Sequence, residues 1–291
     1  MRSRTGSHQA LLGPTGGRPV ALGRTAEIYP WGEGRVLKLF HAWFPAGAVR
    51  YEARIARAVH AAGLPVPEVG EIVEVGGRLG LEYERVEGVS MGQVMRARPW
   101  TIKRLMRLLA DLQAAMHAIR GVAGLPWQRE RLVSKIGEAR GLEPRVREAA
   151  LRALERMPDG DRLCHGDFHP ENVLLTSRGP LVIDWIDATL GNPLADVART
   201  TVLMGGGKAP GGLFSRAEQA VTAWAHQVYL RRYLELRGGG EEEYRAWLPI
   251  VAAGRMSEGI AGLEDWLRAQ VEGGLGFTPG MGGGMPRRGA R

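Results

Sequence analysis

"CHGDFHPENVLLTSRGPLVIDW" occupies residues 164–185. Two short apolar runs, VLLT and LVID, flank the turn-forming SRGP, a pattern that reads as a β-hairpin. Folding the hairpin back brings its two ends together. Asn172 lies just before the first strand and Asp184 at the end of the second. An amide oxygen and a carboxylate therefore come side by side, and Asp167 stands five residues upstream of Asn172 in the same loop. Hard oxygen donors of this kind suit Mg²⁺, which takes one or two protein carboxylates together with phosphate oxygens.

Working back toward the N-terminus, AEIYPWGEGRVLKLF (26–40) reads as strand, tight turn, strand. Alternation puts Val36, Lys38 and Phe40 on one face and Leu37 and Leu39 on the other. Pro45 opens a helix that ends near Gly63. Glu52, Ile55, Ala56 and Val59 recur on one helical face, which turns Glu52 inward. An isolated charge out of water is very costly, so Glu52 needs a partner, and Lys38 is the natural one. The residues 71–86 read as two strands joined at Gly76-Gly77, and EGVS (87–90) as a linker with little structure of its own.

Beyond the linker the chain turns helical. Leu105, Leu108, Leu109, Leu112, Met116 and Ile119 form the stripe of an amphipathic helix over 99–120. Helices are expected at 127–140 and 144–156, then, after the hairpin, at 193–204, 215–236 and 241–270. No internal repeat is evident. The expected fold class is α+β: a β-rich N-terminal lobe with one main helix over 20–86, and a larger, mostly helical C-terminal lobe over 87–272. A cleft between two such lobes suits a ligand.

The 291 residues are 44% hydrophobic, as in a globular protein. No apolar run reaches the ~18 residues of a membrane span. The N-terminus lacks the apolar core of a signal peptide, and the single cysteine, Cys164, allows no internal disulfide. A cytoplasmic location and no membrane partner are expected. The net charge of +8 invites a nucleic-acid reading. However, the Gly- and Pro-rich tails 1–19 and 273–291 each carry three arginines and no acid, which leaves +2 for the body. No specific nucleic-acid partner is expected.

The spacing assigns roles for phosphoryl transfer. Asp184 is the main Mg²⁺ ligand and Asn172 the second. Asp167 orients the acceptor hydroxyl and takes its proton, and Lys38, paired with Glu52, holds the α- and β-phosphates. The chain also resembles the aminoglycoside phosphotransferase and choline kinase-like family, within the protein-kinase-like fold. HGDFHPEN (165–172) matches that family's H-G-D-x-x-x-x-N loop, VIDW (182–185) its I-D-W segment, and GNPLADVAR (191–199) its G-x-P-x-x-D-x-A segment.

The resemblance covers about residues 20–270 and implies an ATP- and Mg²⁺-dependent transfer to a hydroxyl of a small molecule. It makes EYERV (82–86) the adenine hinge, with Glu84 and Val86 as contacts, and Gly23 the recognisable glycine of the nucleotide loop. Asp196 buttresses the catalytic loop, and His165 supports it through the backbone. His169 stands where protein kinases carry a lysine, which argues for the small-molecule branch. Asp187 and Glu258 are possible acceptor contacts, with Glu264 and Asp265 on the same C-terminal helices; acids there suit an amine-bearing acceptor. His117 and Cys164 read as packing residues. The alternatives are an atypical protein kinase and a nucleotide-binding regulator without transfer activity.

Overall fold

The computed structural model describes residues 17–205 and 216–277. In chain order its first elements are β1 (Ala21–Leu22), β2 (Ala26–Trp31), β3 (Arg35–Phe40), α1 (Ala46–Ala61), β4 (Val69–Val75), β5 (Arg78–Glu84), β6 (Gly88–Ser90) and α2 (Met91–Ala97). Next come α3 (Ile102–Met116), α4 (Gln128–Glu138), α5 (Pro144–Glu155), β7 (Arg162–Cys164), β8 (Val173–Thr176), β9 (Gly179–Val182) and β10 (Thr189–Gly191). Four helices close the chain: α6 (Pro193–Gly205), α7 (Arg216–Arg237), α8 (Glu241–Arg255) and α9 (Glu264–Gly274). None of the described helices is long and apolar enough to cross a membrane. Two compact units form. One comprises residues 17–101 with Gly121–Leu125 and Pro170–Ala188; the other comprises Ile102–Arg120, Pro126–His169 and the described residues from Thr189 on.

The first unit is built on an antiparallel sheet of order β1-β2-β3-β5-β4. Its turns fall at glycines: Gly32 and Gly34 between β2 and β3, and Gly76 and Gly77 between β4 and β5, all have positive φ. Strand alternation sorts the apolar side chains as expected. Leu37 and Leu39 pack with Tyr29 on one face, while Phe40 and Leu81 pack with Val49 and Ala53 of α1 on the other. That second face also carries Lys38, which pairs in register with Ile28 and Leu81.

The linker expected at 87–90 is instead the strand β6, hydrogen-bonded to β8 in a second sheet of order β6-β8-β9. This pairing attaches the quoted hairpin to the N-terminal part of the chain, so the unit boundary does not follow chain order at residue 86. Ser90 then caps α2 in a reciprocal box with Gln93. Its hydroxyl also donates to Glu171 at 2.5 Å.

In the second unit α3 packs on α7. The interface contains a polar network in which Tyr229 donates to Gln113 and the Tyr233 hydroxyl lies 2.6 Å from His117 Nδ1. Strands β7 and β10 pair antiparallel and lead into and away from the catalytic-loop segment and the hairpin. The single helix expected over 241–270 is broken. After α8 a 3₁₀ turn (Met256–Glu258) ends at Gly259, and Gly259 and Gly262 have φ of 57° and 82°. Left-handed glycines terminate a helix, and α9 restarts at Glu264.

Candidate active site

The first unit assembles the residues expected to handle phosphate. Lys38 Nζ donates to Glu52 Oε1 at 2.7 Å and lies 3.5 Å from Asp184 Oδ1. Glu52 is only 3% exposed, as the helix phase required. Tyr83, on β5, also donates its hydroxyl to Glu52 Oε1, at 3.1 Å. Burial alone would lower the Lys38 pKa, but the carboxylates of Asp184 and Glu52 outweigh it and hold it above the usual lysine value. Lys38 is therefore a fixed cation. Burial, and then Glu52, push the Tyr83 phenol well above its usual range, so it stays a neutral donor.

Asp184 has φ 64°, the one non-glycine residue at positive φ among those described. Such a conformation is strained for most residues and tolerated by Asp and Asn. Its neighbours hold it there. Trp185 is buried and its indole donates to the Val182 carbonyl at 3.0 Å, while Ala188 N–H donates to the Trp185 carbonyl at 2.9 Å. On the opposite arm, Ile183 N–H donates to the Asn172 carbonyl at 3.0 Å, so the hairpin juxtaposes Asn172 and Asp184 at its open end. Asn172 is buried, and Asp184 keeps a side-chain exposure of 43%.

Three further positions lie in this unit. Gly23 sits between β1 and β2 and bonds through its N–H to the Ala26 carbonyl at 2.8 Å. Glu84 pairs with Arg178 at 2.6 Å, so its side chain joins the end of β5 to the β8–β9 turn. Val86 makes no backbone hydrogen bond among the described residues. Asp187 is half-buried near the end of this segment.

The second unit holds residues 165–169 of the loop that precedes the hairpin. Asp196, 1% exposed on α6, accepts from Gly166 N–H at 2.7 Å, His165 N–H at 3.2 Å and Gln113 Nε2 at 2.9 Å. Burial by itself would raise its pKa, but His117, Gln113 and the Gly166 amide bring it down to about 2. Three residues on, one turn along the same helix face, Arg199 donates its Nε to the Gly166 carbonyl at 2.9 Å. Asp196 and Arg199 thus grip both sides of the Gly166 peptide, whose φ is 79°. His165 is fully buried and accepts the Asp167 N–H on Nδ1 at 3.2 Å. His117, Cys164 and Asp196 have ligand atoms within 4.8 Å of one another, but hydrogen bonds within the protein engage all three.

Asp167 is held as a carboxylate. His169 Nε2 lies 3.6 Å from its Oδ2 and Arg199 Nη2 3.8 Å from its Oδ1. Burial opposes ionisation, but the hydrogen bond from His169 and the charge of Arg199 outweigh it and place the pKa well below the usual carboxylate range. Glu258 is engaged by Arg199 Nη2 at 2.5 Å, Lys135 Nζ at 3.6 Å and Arg255 Nε at 3.9 Å. Glu264 and Asp265 are exposed on α9.

The sequence matches the phosphotransferase enzyme family over residues 18–247. The chain belongs to that family. It is a phosphotransferase. Solved structures agree on the protein-kinase-like fold. One is the aminoglycoside phosphotransferase APH(4)-Ia in complex with AMP-PNP and hygromycin B, at 18% identity and TM-score 0.58, covering 90% of this chain and 94% of that one. A choline/ethanolamine kinase family protein from Mesorhizobium loti aligns at 18% identity and TM-score 0.54, covering 93% and 89%. The amicoumacin kinase hAmiN, in complex with AMP-PNP, Ca²⁺ and Ami, aligns at 13% identity and TM-score 0.57, covering 91% and 89%. A search of curated protein sequences returns no significant match.

Sequence reading did not single out Tyr83, Arg199, Lys135 or Arg255. Arg199 carried a usable signal, because it lies three residues after Asp196 on one helix face. Arg255 likewise stands three residues before Glu258, whereas Tyr83 and Lys135 reach their acids through long-range packing.

Proposed function

We propose that this phosphotransferase moves the γ-phosphoryl group of ATP, with Mg²⁺, directly to a hydroxyl of a small molecule. The observation that carries the reading is the meeting of Lys38, Glu52 and Asp184 around one ammonium group. Lys38 and Asp184 are 146 residues apart in the chain. Nothing in ordinary packing needs a half-buried lysine shared between two acids, whereas phosphate binding does.

The donor set fits the metal: an amide oxygen and a carboxylate at the open end of one hairpin, the carboxylate accessible and set by a strained backbone. Asn172 and Asp184 would hold Mg²⁺, whose charge would offset that of the β- and γ-phosphates. Lys38, oriented by Glu52 and through it by Tyr83, would bind the α- and β-phosphates. Val86 offers a backbone N–H and carbonyl to adenine. Gly23 allows the β1–β2 loop to lie close to the phosphates, since it presents no side chain. Asp167 would accept a hydrogen bond from the acceptor hydroxyl, turn its lone pair toward the γ-phosphorus and take its proton as the bond forms. Its low pKa keeps it ready as an acceptor, though a weak base, so orientation is its larger contribution.

ADP release, followed with Mg²⁺-ATP and a panel of hydroxyl compounds, tests this reading. Asp167→Asn should keep ATP affinity and lose transfer by on the order of 10²–10⁴-fold. Near-normal turnover in that variant would remove Asp167 from the chemistry.

A further inference from the structure

Glu258, as an acid expected near the acceptor, suggested an amine-bearing substrate. Its surroundings argue otherwise. One oxygen already meets Arg199 and Lys135, and the other faces Arg255. Around Asp167 and Glu258, two negative charges, stand three permanent cations: Arg199, Arg255 and Lys135. His169 adds a fourth when protonated.

Arg255 is the unusual member. It is 7% exposed, at the C-terminal end of α8. Its guanidinium makes no hydrogen bond among the described residues, and both Nε and Nη1 are buried without a hydrogen-bond partner. Its nearest carboxylate oxygen is 3.9 Å away, too far for a hydrogen bond. Proteins rarely leave a buried charge uncompensated. Loss of water and the repulsion of Arg199 outweigh the pull of Glu258 and Asp167, lowering its pKa to about 10. A guanidinium is still charged at neutral pH under these conditions, and its planar fork matches a carboxylate or phosphate.

We propose that the acceptor carries an anionic group beside its reacting hydroxyl, and that Arg255, supported by Arg199, binds that group next to Asp167. This rests on Asp167 being the residue that meets the acceptor hydroxyl. Glu258 then sets the two guanidinium groups in place and does not contact the substrate. A cationic acceptor such as choline or an aminoglycoside meets repulsion at this wall.

Two readouts on the full chain test the proposal. The first is thermal stability with inorganic phosphate, gluconate and glucose 6-phosphate, against sorbitol and glucose at matched ionic strength. The anions should raise Tm by about 2 °C or more over their neutral counterparts, and Arg255→Gln should abolish the difference. Gluconate and glucose 6-phosphate separate carboxylate from phosphate recognition. Silence for all three anions, or equal shifts in Arg255→Gln, overturns the proposal.

The second readout is ADP release with the same pairs and with choline and kanamycin. Arg255→Gln should raise KM for an anionic acceptor about tenfold or more while changing kcat less, the signature of lost ground-state binding. Equal loss of kcat on every acceptor would assign Arg255 to the transferred phosphoryl group and overturn the proposal. Arg255→Lys should keep part of the anion preference, which separates lost charge from misfolding. Arg255-dependent anion binding without any transfer would sink the phosphotransfer mechanism and leave the anion site standing. Transfer to cationic acceptors without anion preference would do the reverse.

Discussion

Asp196 shows how one buried carboxylate can organise a loop it does not belong to. Its two oxygens take up backbone N–H groups of His165 and Gly166 and a side-chain amide of Gln113. Its folded pKa is about 2, below the usual carboxylate value of about 3.9. A depressed carboxylate stabilises the fold above the unfolded pKa, and that contribution is lost as pH falls through the folded value. The difference corresponds to roughly 2–3 kcal/mol. Asp196→Asn should therefore lose stability of that order at pH 7 in urea melts, and its stability should fall less steeply than the parent's between pH 4 and 2. An unchanged pH profile would mean that Asp196 carries no such linkage. At Asp184, the φ of 64° lets Asn replace Asp without added strain. Asp184→Asn should fold as the parent does and lose the Mg²⁺-dependent part of ATP binding, read by calorimetry with and without Mg²⁺.

At the scale of elements, the β8–β9 hairpin is a short device with a strong effect: its open end sets Asn172 and Asp184, and its outer edge is fixed by β6. The Ser90 hydroxyl joins two roles there, accepting the Gln93 N–H to cap α2 and donating to Glu171 just before Asn172, while the Ser90 N–H closes the box on Gln93 Oε1. Ser90→Ala should cost about 1 kcal/mol for the cap, and more if the Glu171 contact counts, seen as a lower Tm in calorimetry. The hairpin was legible because its two strands, its turn and its polar ends lie within twenty-odd consecutive residues. The strand β6 was not, because GVS has no alternation to declare it, and only its pairing with Leu174–Thr176 makes it a strand. The break between α8 and α9 was legible in principle from Gly259 and Gly262. The apolar periodicity on both sides hid it.

Across the whole molecule, what could be read in the sequence was what the chain writes locally. Asp167, Asn172 and Asp184 share one stretch, and Lys38 and Glu52 follow from strand and helix phase. Tyr83 reaches Glu52 through sheet register and Lys135 reaches Glu258 from α4, so no local pattern announces them, whereas Arg255 stands only three residues before Glu258. The charge distribution also matters at this scale. Because +6 of the +8 lies in residues 1–19 and 273–291, any nucleic-acid affinity should be non-specific, salt-sensitive and lost when both segments are removed. Filter binding at two salt concentrations checks this.

The most direct test of the central claim, that this chain transfers the γ-phosphoryl group of Mg²⁺-ATP to a small hydroxyl compound, is ³¹P nuclear magnetic resonance of the full chain with ATP, Mg²⁺ and a pool of such compounds. The account predicts that the γ-phosphate signal is replaced by a phosphomonoester signal, with ADP, only when Mg²⁺, Asp167 and Asp184 are all present. Persistence of ATP, or its conversion to inorganic phosphate alone at the same rate in Asp167→Asn, would contradict it.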